Sequence, residues 1–214
     1  MVPDKTAKSS TEHDARIVKA YKPFGLSKRR VFCSAAERIR KKLEQGEDFQ
    51  KNMITIRTYQ PSDIKAVTEI WNEVISDGTA FAEERILTQE ECSDLFAKQT
   101  YAAVAEGENG EILGAYILHP NYSGRLGHIC NASFAVRKAY RGKHIGEKLV
   151  KDCVEQAGRI GFRIMQFNAV IESNTHARHL YERRGFQQAG MIPCGFQMKN
   201  GSYENICQYY LELQ

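Results

Sequence analysis

The stretch FAVRKAYRGKHIGEKLV, residues 134–150, contains the end of an apolar strand, a short polar loop and the first turns of a helix. Arg141 and Gly142 lie in the loop, and Gly146 opens the helix. Backbone N–H groups at a helix start have no partner within the helix, and the helix dipole adds positive charge there. Arg141 and Lys143 add further charge, and glycine allows a ligand to approach the backbone closely. The stretch therefore suits an anionic group such as a pyrophosphate. Many strand–loop–helix joints contain two glycines, so a purely structural role is the alternative, and the stretch alone favours that role.

A second motif follows the next strand and has the pattern N-x-x-A-x-x-L-Y-x-x-x-G-F. Its residues are Asn174, Ala177, Leu180, Tyr181, Gly185 and Phe186. Asn174 is a good helix N-cap and Gly185 a good helix stop, so both have structural roles. Tyr181 lies seven residues beyond Asn174, two turns along the same face. Its phenol could protonate a departing group, or its ring could simply pack in the core.

The pattern of apolar residues predicts eleven elements from residue 54 onward. Strands are predicted over residues 54–59, 101–106, 112–119, 128–136, 163–170, 186–192 and 203–213, and helices over 64–75, 88–96, 145–160 and 174–184. A capping box, Thr88 with Glu91, marks the start of the second helix. This order predicts an α/β fold, with a mixed sheet and helices on both of its faces.

Residues 1–52 form a separate, basic N-terminal extension. They contain 13 Lys and Arg against 7 Asp and Glu, a net charge of +6, so the remaining residues carry −2 of the total +4. A capping box at residues 34–37 predicts one short helix, with Gly46 as its stop. Only Phe32 is aromatic near the basic runs SKRR and RIRKK, which gives little support for stacking on nucleic-acid bases. We interpret the extension as an accessory arm.

Composition excludes several classes of protein. Hydrophobic residues make up 42% and charged residues 26% of the chain, as in ordinary globular proteins. No apolar run approaches the ~20 residues that span a bilayer, and the N-terminus lacks the apolar core of a secretory signal. The six cysteines are scattered without a CxxC pair, so we expect free thiols in the cytoplasm and no metal site.

Taken together, the two motifs resemble those of the GNAT superfamily of N-acetyltransferases, over residues 53–214. The resemblance implies acetyl-CoA as co-substrate and the acyl-CoA N-acyltransferase fold, in which a mostly antiparallel sheet is splayed. It also implies that backbone groups of Phe134, Ala135 and Val136 pair with the pantetheine arm. The pyrophosphate would be held by Arg141, Gly142, Lys143, His144, Ile145, Gly146 and Glu147. The family usually has R-x-x-G-x-G here, and His144 stands at the first glycine, which leaves the local backbone conformation open.

Two further segments, ILGAYILHPNYSGRLGHICNASF (112–134) and MQFNAVIESN (165–174), are similar to fungal acetyltransferases that act on proline analogues such as azetidine-2-carboxylate. The similarity implies substrate binding by Asn131 and Asn168, and CoA binding by Asn174. The alternative role of the first two is to satisfy backbone groups where the sheet splays. The fungal enzymes carry tryptophan at Tyr181, so a tyrosine acid is implied by the wider superfamily only.

The helix phrase IWNEVISDGTAF (70–81) also resembles the phosphinothricin acetyltransferase group, in which a glutamate, the candidate base, occupies the position of Asn131. An amide does not take a proton near neutral pH, so that mechanism does not transfer unchanged. His128, Glu172 and Glu73 are the alternative proton acceptors. His128 has a suitable intrinsic pKa, so it joins Tyr181 as a candidate catalytic residue.

These observations predict an N-acetyltransferase whose acceptor is the amine of a small molecule, such as an amino or imino acid. We expect no membrane partner and no nucleic-acid partner for the main domain, and a homodimer is left open. The alternative is a binding or regulatory module that keeps the acetyl-CoA fold while its basic arm contacts nucleic acid or protein.

Overall fold

The computed structural model describes residues 54–213, which form seven strands and four helices. The predicted helix of the basic extension lies outside the described residues. The strands are β1 (Thr55–Thr58), β2 (Tyr101–Glu106), β3 (Ile112–Pro120), β4 (Ile129–Val136), β5 (Ile164–Ile171), β6 (Gln187–Gln197) and β7 (Tyr203–Glu212). The helices are α1 (Ile64–Asp77), α2 (Gln89–Ala97), α3 (Ile145–Ile160) and α4 (Thr175–Arg183).

All seven strands belong to one sheet in the order β1-β2-β3-β4-β5-β7-β6. Every neighbouring pair is antiparallel except β4 and β5, which are parallel. These two strands pair only at Ile129 with Ile164 and at Cys130 with Met165. Beyond Cys130 they separate, so the sheet is splayed. The predicted fold class is confirmed.

Each face of the sheet is covered by its own hydrophobic core. One core packs α1 and α2 against the sheet through Ile70, Trp71 and Phe96. The other packs α3 against the opposite face through Leu149 and Cys153. The central strand β3 is buried at every position from Ile112 to Leu118, as expected for a strand with helices on both sides.

Local sequence signals explain where the helices begin and end. In the predicted capping box, Glu91 N–H donates to Thr88 Oγ1 (3.1 Å) and Thr88 N–H donates to Glu91 Oε2 (2.8 Å). Ahead of α4, Asn174 Oδ1 accepts a hydrogen bond from Ala177 N–H (3.2 Å), as an N-cap does. The prediction that Asn174 caps its helix is confirmed.

Strand β6 continues past the predicted end at residue 192. It reaches Gln197 through a register shift between Ile192 and Phe196. Cys194 has a positive φ of 54° within this irregular segment. Proline and glycine usually end a strand, so the PCG sequence at residues 193–195 predicts an end near residue 192. The strand continues because a bulge accommodates both residues.

Candidate active site

The gap between β4 and β5 forms a cleft of about 280 Å³. Four segments line it: residues 131–134 of β4, residues 167–171 of β5, residues 174, 177 and 181 at α4, and residues 80–83 of the loop between α1 and α2. The cleft exists because the two strands lose their mutual hydrogen bonds after Cys130. A splayed parallel pair therefore places the sequence-predicted residues of β4, β5 and α4 around one space.

Asn131 and Asn168 both line this cleft, and their side chains are held differently. Asn131 Oδ1 accepts a hydrogen bond from the N–H of Ala132 (2.8 Å), which is the backbone role considered as its alternative. The Asn131 side-chain NH₂ group has no hydrogen-bond partner among residues 54–213. That group is therefore available to a ligand.

Asn168 is fixed by a reciprocal pair of hydrogen bonds with Asn121. Asn168 Nδ2 donates to Asn121 Oδ1 (2.7 Å), and Asn121 Nδ2 donates to Asn168 Oδ1 (3.0 Å). Gln166 Nε2 donates to the same Asn168 oxygen (3.1 Å). The loop after β3 thus orients a side chain on β5, a contact that neither motif indicated.

Strand periodicity decides which backbone groups of β4 face the gap. At one end the carbonyl of His128 accepts from Ile164 of β5 (3.4 Å), and at the other end Arg137 N–H donates to Leu113 of β3 (2.8 Å). Backbone groups point alternately to the two sides of a strand. The N–H and C=O groups of even-numbered residues of β4 therefore point toward the gap, and those of odd-numbered residues point toward β3. Of the three residues predicted to pair with pantetheine, Phe134 and Val136 therefore present backbone groups to the cleft side. The backbone groups of Ala135 are turned toward β3, which corrects that part of the prediction.

Tyr181 lies at the floor of the cleft within an aromatic cluster. Its ring centroid is 4.4 Å from that of Phe167 and 5.6 Å from that of Phe186. Burial raises the pKa of the Tyr181 phenol, so the group keeps its proton at neutral pH. Its hydroxyl has no hydrogen-bond partner among the described residues. Such a phenol can donate a proton to a ligand atom.

The loop before α3 has two residues with left-handed backbone, Gly142 (φ 78°) and His144 (φ 60°). His144 stands where the family usually has glycine, and it adopts the conformation that glycine favours. No side chain caps the α3 N-terminus, so the first N–H groups of the helix are open to an anion. The backbone arrangement that the motif predicts is therefore compatible with histidine.

The charged residues of this loop are engaged with one another and with α1. Arg141 donates to Asp77 Oδ2 (2.5 Å) and to the carbonyl of Val136 (3.2 Å). Hydrogen bonds from Lys138 and Arg141 lower the pKa of the Asp77 carboxyl. Lys143 Nζ lies 4.6 Å from the centre of the Tyr140 ring, without an ion pair among the described residues. Compared with Arg141, which is paired with Asp77, Lys143 is therefore more available to bind a phosphate group.

Glu147 lies in the first turn of α3, where its carboxylate binds two cationic or polar partners. Arg184 donates to Glu147 Oε1 (2.9 Å), which ties α3 to the end of α4. The ring of His144 lies within hydrogen-bond distance of Glu147 Oε2 (3.0 Å) and lowers the pKa of that carboxyl. In this arrangement Glu147 organises the helix start.

The structure does not bring the three predicted proton acceptors into the cleft. His128 is exposed and lines a separate depression with Arg163 and Glu212. Glu172 Oε2 accepts a hydrogen bond from Asn205 (2.8 Å), and Glu73 Oε2 accepts one from the backbone of Lys138 (2.6 Å). All three are absent from the described lining of the gap between β4 and β5.

Glu83 is a cleft residue that sequence reasoning missed. It lies on the loop from Gly78 to Thr88 and is the one charged residue among the described residues that line the cleft. A glutamate in a polar loop has no periodicity or motif around it, so only the path of the loop reveals its position.

Neither a metal site nor a membrane span is found in the part of the chain that the structure describes. Among residues 54–213, no group of three His, Cys, Asp or Glu side chains could hold a metal ion. Within the same range, no helix is long and apolar enough to cross a membrane. The five cysteines in the described range are free, and four of them are buried.

Comparisons with known proteins agree with this geometry. Residues 65–186, more than half of the chain, match the model of the acetyltransferase (GNAT) family. The N-acetyltransferase aca1 of Schizosaccharomyces pombe is 43% identical over 81 residues, which is 38% of this chain and 39% of aca1. The putative phosphinothricin acetyltransferase YwnH of Bacillus subtilis is 28% identical over 157 residues, 71% of this chain and 94% of YwnH. A GCN5-related N-acetyltransferase from Kribbella flavida superposes with a TM-score of 0.71 at 32% identity, covering 75% of this chain and 98% of that one.

The chain therefore belongs to the acetyltransferase (GNAT) family. The predicted enzyme class, an acetyltransferase with acetyl-CoA as its co-substrate, is confirmed. The matched segment of aca1 is less than half of that protein, so the likeness to aca1 concerns one part of it.

Proposed function

We propose that the protein transfers the acetyl group of acetyl-CoA to the amine of a small amino acid, imino acid or close analogue. The observation that carries this proposal is the cleft between β4 and β5, which joins an open backbone edge, two amide side chains and a protonated phenol. Such a cleft can hold a thioester along one strand and a small amine beside it.

The donor would lie along the open edge of β4. Backbone groups of Phe134 and the N–H of Val136 would pair with the pantetheine amides, as another strand would, while the Val136 carbonyl accepts from Arg141. The uncapped N-terminus of α3 and the free ammonium of Lys143 would hold the pyrophosphate. Asn174 lines the same cleft at the start of α4 and would contact the pantetheine arm there.

The reaction would be a direct attack of the neutral amine on the thioester carbonyl. Holding both reactants side by side supplies much of the acceleration, because it removes the need for a productive encounter. The N–H of Phe134 would stabilise the negative charge that develops on the carbonyl oxygen. Tyr181 would protonate the departing thiolate, a role that its raised pKa permits at neutral pH.

The acceptor side of the cleft favours a small zwitterion. The Asn131 side-chain NH₂ group is free to donate, and Asn168 is held rigidly by Asn121, so both can contact a carboxylate without fixed charge. YwnH is named for phosphinothricin, a small amino acid, which supports this class of acceptor. A polyamine would need several carboxylates along its length, and the described lining contains one.

Asn168→Ala tests the acceptor site directly. We expect the KM for the acceptor to rise about tenfold, with an unchanged KM for acetyl-CoA, because Asn168 would contact the acceptor and not the donor. Asn200→Ala, in the turn between β6 and β7, is the matched control and should behave as wild type. Equal KM values for Asn168→Ala and wild type would remove Asn168 from the acceptor site.

A further inference from the structure

We propose that Glu83 binds the ammonium group of the acceptor and takes its proton before the attack. This inference rests on the proposed function, since it assigns the missing proton acceptor of the same cleft. It goes further because it assigns that role to the loop between α1 and α2 and not to His128, Glu172 or Glu73.

The charge of the cleft supports this role. Glu83 is the single charged residue among the described lining, and it stands with the amides of Asn131 and Asn168 around the same space. Its carboxylate makes no ion pair or hydrogen bond with any residue between 54 and 213. An unpaired carboxylate at the edge of a partly apolar cleft attracts a cation, and a protonated amine is the cation that the reaction supplies.

The loop that carries Glu83 is anchored on both sides. Before it, the ring of Phe81 packs on Trp71, which is buried in α1, with a centroid distance of 4.7 Å. After it, the side chain of Asn72 binds both the N–H and the carbonyl of Leu87 at 2.8 Å. Glu83 thus lies between two fixed points, which limits the space that its carboxylate can sample.

A protonated amine must lose a proton before it can attack the thioester. An alkyl amine with a pKa of about 10 is almost entirely protonated at neutral pH and then has no lone pair for the attack. Glu83 would take one proton, and the neutral nitrogen would form the C–N bond as the C–S bond breaks. The second proton would leave nitrogen and reach the sulfur through Tyr181. Glu83 would finally release its proton to solvent, which balances the overall reaction.

The experiment compares wild type with Glu83→Gln across pH 6.5 to 9.5, using the amine that wild type acetylates fastest. With Glu83 present the protonated amine is usable, so kcat/KM should be nearly flat in the neutral range. In Glu83→Gln only the free amine reacts. We expect kcat/KM to fall ~1000-fold at pH 7 and to rise about tenfold per pH unit toward the pKa of the amine.

Glu84→Gln is the matched control, because Glu84 is the next residue of the same loop and is exposed as Glu83 is, but it does not line the cleft. It should keep the wild-type rate and pH profile. The proposal is overturned if Glu83→Gln has the wild-type rate, or if its rate is lowered at every pH by the same factor. Absence of acetyl transfer by wild type to any small amine would instead overturn the proposed function, so the two failures are distinguishable.

Discussion

Tyr181 illustrates how one residue can have both a structural and a chemical role. Its ring packs on Phe167 and Phe186, whereas its hydroxyl has no partner among the described residues. Tyr181→Phe keeps the packing and removes only the acid. We therefore expect turnover to fall ~10–100-fold while the melting temperature stays within about 2 °C of wild type.

Steady-state kinetics and thermal unfolding on the same preparation check this prediction. Tyr203→Phe, an exposed tyrosine near the turn between β6 and β7, serves as the control. Wild-type turnover in Tyr181→Phe would show that the ring alone matters. Tryptophan at this position in the fungal relatives is compatible with that outcome, so the measurement is informative either way.

At the residue scale, the sequence motifs predicted the cleft residues on strands and helices, but they did not predict Glu83, which lies in a loop. Asn131, Asn168, Asn174 and Tyr181 lie in elements with clear periodicity, and the sheet brings them to one cleft. Glu83 lies in an irregular loop, where its position depends on long-range contacts that leave no periodic pattern in the sequence.

At the scale of elements, an ionic cluster joins β1 and β2 to the turn that starts α1. Arg57 donates to both carboxylate oxygens of Asp63 (2.7 and 2.9 Å) and to Glu106 (2.6 Å). Asp63 is only 8% exposed, and the hydrogen bonds from Arg57 lower the pKa of its carboxyl. The cluster therefore stabilises the folded state while Asp63 is ionised.

Asp63→Asn tests this cluster through its pH dependence. A folded-state pKa below the unfolded value of about 3.9 adds stability above that value, and the stability is lost as pH falls through the folded pKa. We expect the variant to lose about 1–2 kcal/mol of unfolding free energy at pH 7, a modest value because Arg57 is partly exposed. The difference from wild type should shrink toward pH 3, as measured by urea unfolding. A constant difference between pH 7 and pH 3 would contradict the ionic explanation.

The predicted ends of helices and strands agree with the structure where local sequence signals determine them. The periodic stripe of α3 predicted residues 145–160, and the capping box predicted the start of α2. Strand β6 was predicted too short, because its bulge depends on pairing with β7 rather than on its own residues. The splay between β4 and β5 leaves no periodic signal either, and the resemblance of the two motifs to a family was what predicted it.

At the scale of the whole molecule, the described residues 54–213 contain two hydrophobic cores and a seven-stranded sheet. The described lining of the cleft comes from this part of the chain. Its polar lining is dominated by amides and one carboxylate, which suits a small amine better than a long polycation or a nucleic acid. The basic charge of the protein is concentrated in residues 1–52, and the remaining residues carry a net charge of −2.

The most direct test of the central claim is the release of CoASH from acetyl-CoA by the full-length protein with a panel of acceptors. The panel contains amino acids, cyclic imino acids such as azetidine-2-carboxylate, phosphinothricin, spermidine and a lysine peptide, and mass spectrometry identifies each product. We predict the highest kcat/KM for an amino or imino acid, with the acetyl group on its nitrogen. A polyamine or a peptide lysine as the best acceptor would contradict the assignment of the cleft to a small zwitterion. No transfer to any member would contradict the enzymatic role and favour a binding module with a basic arm.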